Sequence, residues 1–158
     1  MRDMNDTATT DFVETLGIIF QNEGLPRIAG RLLGFLIVTD GSRSFSDLVD
    51  ALQVSKGSVS TNTRLLENLG AIERTSKPGD RQDYFRLAHA PYEQLLERSI
   101  ERAGRARETL QRESQRFPKS AVQTKQRISD LIFFYDVVVS ATEDAARKLR
   151  NRRKKRSA

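Results

Sequence analysis

Residues 44–89 hold the pattern that most narrows what this chain can fold into. Ser44 is followed three residues later by Asp47, a variant of the Ser-x-x-Glu capping box, and Leu48, Val49 and Leu52 then form the apolar side of a short helix. Gln53-Val54-Ser55-Lys56-Gly57 breaks the period. Ser55 is placed to cap a second helix, which carries Val59, Thr63, Leu66 and Leu69 on one side and ends at Gly70. Two short helices joined by a tight turn that contains an apolar residue make a helix-turn-helix. The period then changes: Ala71–Thr75 reads as a strand, Lys77-Pro78-Gly79-Asp80 as a turn, and Asp83–Leu87 as the returning strand. A hairpin directly after the second helix is the wing of a winged helix.

The flanks read as helices. Residues 1–10 are polar and expected to be disordered, with a first helix capped near Thr10 and carrying Phe12, Val13, Leu16, Ile19 and Phe20 up to Gly24-Leu25-Pro26. Pro26 is suited to open a second helix, whose apolar face is Ile28, Leu32, Leu33, Phe35 and Leu36. Within it Gly30 and Gly34 lie on one face and permit close backbone packing. A further helix is expected from Pro91 to about Gln115, and a last one from about Lys119 to Leu149, densely apolar over 131–139. The expected organisation is therefore a disordered N-terminus (1–10), N-terminal dimerisation and support helices (11–40), a winged helix-turn-helix (41–90), C-terminal dimerisation helices (91–149) and a basic tail (150–158). The fold class is mainly α with a small β-hairpin wing.

Charge has to be located before it is interpreted. The net charge is +6, yet residues 147–156 alone hold eight of the 27 basic residues and no acidic one, leaving 19 basic against 21 acidic residues elsewhere. Such a tail attracts any polyanion without sequence preference. There is no cysteine, hence no disulfide framework and no thiolate metal site, and the one histidine, His89 beside Ala90-Pro91, suits a structural role. Neither metal nor cofactor is expected. The N-terminus lacks the apolar core of a secretory signal, and the apolar runs at 32–38 and 131–139 fall short of the ~18 residues of a membrane span. A soluble, cytoplasmic protein without a membrane partner is the expectation. Nothing resembles a nucleophile elbow or a Gly-rich phosphate loop, so no enzyme is expected.

At 100° per residue, Gly57, Ser60, Thr61, Arg64 and Asn68 lie opposite the core side of the second helix. Small and hydrogen-bonding side chains of this kind suit a surface pressed into a major groove, with Arg64 the candidate for a bidentate contact to guanine and Ser60 and Thr61 for bases or phosphates. A solvated helix face has a similar composition; the position between a helix-turn-helix start and a wing favours DNA. In the wing, Arg81 is the candidate for the minor groove, while Arg74 and Lys77 suit phosphates. Residues 44–89 carry six basic and six acidic side chains, so a winged-helix protein–protein interaction module is the alternative. The basic set lies on the second helix and the wing, which favours DNA.

Three passages carry a family likeness: Gly24-Leu25-Pro26-Arg27-Ile28-Ala29-Gly30-Arg31-Leu32-Leu33-Gly34; Ser55-Lys56-Gly57-Ser58-Val59-Ser60 continuing through Leu66-Glu67-Asn68-Leu69-Gly70-Ala71-Ile72; and Pro78-Gly79-Asp80-Arg81-Gln82-Asp83-Tyr84-Phe85. They resemble the MarR superfamily, in the branch typified by the glycine-betaine-synthesis repressors, over roughly residues 12–115. The resemblance implies a homodimeric transcriptional regulator with a recognition helix near 55–69 in the major groove and a wing over 71–88 at the minor groove. It also implies control by a small effector. It adds Ser55, Lys56 and Ser58 to the expected DNA contacts. The commoner family pattern places one residue between the wing Asp and Arg. Here Asp80 and Arg81 are adjacent, so both Arg81 and Arg86 remain candidates for the wing arginine. Asp80 either orients that arginine or shapes the turn.

The dimer expectation rests on Leu131, Ile132, Phe134, Val138 and Val139, an apolar patch too dense for one helix to leave in water, with Phe12, Leu16 and Phe20 as its expected cover. A two-fold contact of this kind calls for a roughly palindromic operator. Phe133-Phe134-Tyr135 also has the composition of an aromatic cage for a quaternary ammonium group, although interface core is the commoner use of aromatics in such a helix.

Overall fold

The computed structural model describes residues 7–157. Its elements are α1 (Thr7–Asn22), α2 (Arg27–Val38), β1 (Arg43–Ser44), α3 (Phe45–Leu52), α4 (Lys56–Leu69), β2 (Ile72–Thr75), β3 (Tyr84–Leu87), α5 (Pro91–Gln115) and α6 (Val122–Ser157). They form two compact units, the first up to Pro91 and the second from Tyr92.

In the first unit α2 is the central element. Ala29, Gly30, Leu32, Leu33, Gly34, Phe35 and Leu36 are all buried, because α1, α3, α4 and β3 pack around it. The two glycines set the approach of α1. A Cβ on Gly30 would stand 2.5 Å from the Leu16 carbonyl oxygen and 2.8 Å from Gly17 Cα, and one on Gly34 would stand 3.2 Å from Val13 Cα. Glu14 joins the helices electrostatically, meeting Arg27 and Arg31 at 2.7 Å each. Arg31 also donates to the Leu52 carbonyl at 3.0 Å and so satisfies an orphan acceptor at the end of α3.

The helix-turn-helix forms through its expected caps. Asp47 N–H donates to Ser44 Oγ at 3.1 Å while Ser44 N–H donates to Asp47 Oδ2 at 2.9 Å, completing the reciprocal box. Ser55 Oγ accepts from Ser58 N–H at 3.1 Å, and Gly70 closes α4 in the left-handed region. The apolar sides of both helices meet in the interior, with Leu48, Leu52, Val59 and Leu66 buried; from the strands Ile72 and Phe85 are buried and Leu87 is half-buried.

The hairpin is part of a three-stranded antiparallel sheet of order β1-β3-β2. Its register pairs Ile72 with Leu87, Glu73 with Arg86, Arg74 with Phe85 and Thr75 with Tyr84, while β1 sets Arg43 against Phe85 and Ser44 against Tyr84. Two residues are too few to show a period of 2, which is why β1 was not legible in the sequence.

The ends of the chain differ from expectation. Residues 7–10 belong to α1 instead of a disordered N-terminus; residues 1–6 lie outside the described part. α6 does not dissolve at Leu149 but runs through the basic segment to Ser157, over 36 residues. The physical reason lies in the second unit: Arg153 makes a two-pronged contact with the buried Glu93 of α5 at 2.7 and 3.2 Å, and Arg150 meets Glu97 at 3.3 Å. Ala103 and Ala146 are the buried apolar residues of this unit among those described. No described helix is long and apolar enough to cross a membrane.

Candidate nucleic-acid interface

α4 presents two faces. Val59, Asn62, Thr63 and Leu66 are buried, Thr63 Oγ1 donating to the Val59 carbonyl at 2.9 Å and Asn62 Nδ2 to the Ser58 carbonyl at 2.8 Å. Gly57, Thr61, Arg64 and Asn68 are exposed and Ser60 is half-buried, the division that helical angle implies. Ser55 and Ser58 are occupied in the N-cap, their hydroxyls 3.0 Å apart. The N-terminus of a helix capped in this way directs its first N–H groups and positive dipole end outward.

The wing sorts its cations. Arg74 is held by Glu67 of α4, Nε to Oε1 at 3.2 Å and Nη2 to Oε2 at 3.0 Å, and by Asp83 at 3.1 Å, with its guanidinium 5.6 Å from the Phe85 ring centre. The bond to Glu67 is the main reason its pKa is raised. Arg86 pairs with its cross-strand neighbour Glu73 at 3.1 Å. The Glu73 carboxyl is held below its ordinary range first by the backbone N–H of His89, donating at 3.1 Å, with Arg86 adding to the effect against partial desolvation. Lys77 lies 4.2 Å from the Tyr84 ring centre. Asp80 accepts from the Tyr84 hydroxyl at 2.6 Å and from Gln82 N–H at 2.9 Å, and the tyrosine bond is the first cause of its lowered pKa. Of the two roles open to Asp80, these contacts support shaping the turn, with Gly79 at φ +81° allowing it. Lys56, Arg64 and Arg81 are exposed.

This geometry coincides with the part of the chain that known proteins share. Residues 23–83 match the MarR family. Over 78 residues the chain is 50% identical to the HTH-type transcriptional regulator MmpR5 of Mycobacterium tuberculosis (strain ATCC 25618 / H37Rv), a stretch that is 49% of this chain and 47% of that protein. The shared segment thus spans about half the length of that curated relative. A crystal structure of a transcriptional regulator is 32% identical, with 89% of this chain and 99% of that one covered at a TM-score of 0.72. Residues 23–83 thus form a MarR-family segment, in a chain similar over nearly its whole length to a transcriptional regulator. Its winged helix is mostly helical with the small antiparallel sheet described above.

Within this MarR-family frame the near balance of charge over residues 44–89 acquires a structure. Glu67, Glu73 and Asp83 are paired with Arg74 and Arg86, and Asp47 and Asp80 serve a helix cap and a turn. Asp50 stays exposed, and the cations outside these pairs are Lys56 and Arg64 on the helix and Lys77 and Arg81 in the wing. Arg74 was expected as a phosphate contact; in the structure it ties α4 to the wing through Glu67 and Asp83. What the sequence reading missed is Glu67. An acidic residue seven positions before an arginine carries no signal while one is on a helix and the other on a strand.

Proposed function

We propose that this regulator binds duplex DNA sequence-specifically as a homodimer, with α4 in the major groove and the hairpin 71–88 at the minor groove. The observation that carries this reading is the sorting of charge: Glu67, Glu73 and Asp83 are paired with Arg74 and Arg86, while Arg64 on α4 and Arg81 at the wing tip are exposed and outside those pairs. Arg64, flanked by Ser60, Thr61 and Asn68, is our candidate for base readout. Lys56 and Lys77 serve phosphates, and Arg81 takes the wing position because Arg86 is fixed on Glu73.

Dimerisation is supported by α6, where Leu131, Phe133, Phe134 and Val137 are exposed, the two phenylalanines at 68% and 56%. Ile132, Val138 and Val139 flank them half-buried. The N-terminal stripe divides: Phe12 is exposed, but Leu16 and Phe20 turn toward the glycines of α2. A two-fold built on α6 places two recognition helices on a roughly palindromic operator. The glycine-rich passage 24–34 keeps the glycine-betaine-synthesis-repressor branch as our reading of the subfamily.

The test is selection of duplexes from a random pool by the full chain. A recovered palindromic motif is the expected result, and Arg64→Ala should relax one position in each half-site at a cost of about 1–3 kcal/mol. Recovery of no motif would turn the reading toward a protein–protein module.

A further inference from the structure

The basic end of α6 is a sorted surface as well. Ala146, Arg150 and Arg153 share one side of the helix, where Ala146 is buried and the two arginines are fixed on Glu97 and Glu93 of α5. Arg147 is paired with Asp144. Lys148, Arg152 and Lys155, spaced i, i+4 and i+7, lie on the opposite side, all exposed and spanning about 10 Å along the helix axis. The clamp to α5 therefore does two things. It removes two arginines from the outward charge and it holds Lys148, Arg152 and Lys155 in one row on an ordered backbone, beside the exposed Lys154 and Arg156, so that little backbone entropy remains to be lost on binding.

We propose that Lys148, Arg152 and Lys155 form a preorganised phosphate-binding face for duplex DNA, on a different compact unit from the winged helix. The choice of duplex as partner rests on the DNA reading above; the row of cations does not. The chemistry favours a nucleic acid over a lipid surface. An interfacial membrane helix needs an apolar side beside its cations, and over residues 144–156 the only large apolar side chain is Leu149, half-buried on the side of the clamp. A phosphate backbone asks only for regularly spaced cations.

The experiment measures binding of the full chain to a random-sequence duplex as a function of salt. Lys148→Gln, Arg152→Gln and Lys155→Gln should each lower the slope of log affinity against log salt by about 0.9, and the triple variant by about 2.7. Arg150→Gln should leave it nearly unchanged, because that charge already faces Glu97. Equal slope losses in Arg150→Gln and Lys155→Gln would show a flexible polycation and overturn the proposal, as would an unchanged slope in the triple variant. Loss of binding to phosphatidylserine vesicles in the triple variant, with its duplex slope intact, would overturn it in favour of a membrane. An intact selected motif with an unchanged slope sinks this face alone. The expected slope losses with no selectable motif would sink the sequence-specific reading alone.

Discussion

The helices of the first unit and those of the second solve the same packing problem in opposite ways. α2, only 12 residues long, buries seven of them, and its neighbour α1 approaches to the limit that glycine allows. α6, three times that length, buries Ala146 and leaves phenylalanines in the open. The first unit closes a core of Leu32, Leu36, Leu48, Leu52, Val59, Leu66 and Phe85 by itself. The second is held by alanine contacts and by ion pairs such as Arg107–Asp136 and Arg153–Glu93. A large apolar patch left exposed on a helix marks an interaction surface, and this difference is what the proposed dimer through α6 rests on.

The largest effect should come from testing the two units with the same substitution. Gly30→Ala forces a methyl against the Leu16 carbonyl, where neither backbone can yield cheaply, and should lower the unfolding free energy by about 3 kcal/mol in denaturant titration. Gly104→Ala, in a stretch of α5 with nothing within 4 Å, should instead raise it by about 0.5–1 kcal/mol through helix propensity. A loss at Gly104 as large as at Gly30 would break the contrast, and would place a partner's backbone against α5. Next in size, Phe134→Glu should weaken self-association about 30-fold or more, read by sedimentation over a concentration series. Unaltered self-association would remove α6 from the interface.

A smaller effect should follow acidification. Glu73 and Asp80 both have lowered pKa values, so they stabilise the folded wing fully above the ordinary carboxylate range and lose that contribution as pH falls through their lowered values. Thermal midpoints should therefore fall as the pH is taken below the ordinary glutamate value of 4.5, and Glu73→Gln should flatten that fall. An identical acid profile in the variant would show that Glu73 contributes nothing to it. The smallest effect concerns the turn before α4, where Gln53 sits at φ 52° and ψ 47°. Gln53→Gly should relieve left-handed strain and gain about 0.5 kcal/mol, after loss of the bond from Gln53 Nε2 to the Asp50 carbonyl. A destabilised variant would mean that this bond outweighs the strain.

Much of the winged helix was legible because its signals are local. Ser44 with Asp47, Ser55 with Ser58, and Gly70 each act within one turn of chain, and the change of period at residue 71 marks where helix gives way to strand. The outward face of α4 followed from angle alone, once Val59 and Leu66 were assigned to the core. The fate of the wing arginines was not legible. Arg74 and Arg86 look alike in sequence to Arg81, and only the pairing of β2 with β3 and the position of Glu67 on α4 separate them. The basic end of the chain misled for a related reason. Eight cations in ten residues repel one another as an isolated helix, and what steadies them is Glu93 and Glu97, more than 50 positions away.

By itself, the sequence determined the order of the helices and of the hairpin strands, though not the two-residue β1, together with the caps and which side of α4 faces out, since these depend on backbone geometry and on partners a few residues distant. The tertiary structure decided which charges remain outside. Ion pairing depends on distance in space, and the distances from Arg74 to Glu67, Arg86 to Glu73 and Arg153 to Glu93 are set by how elements pack, not by their spacing along the chain.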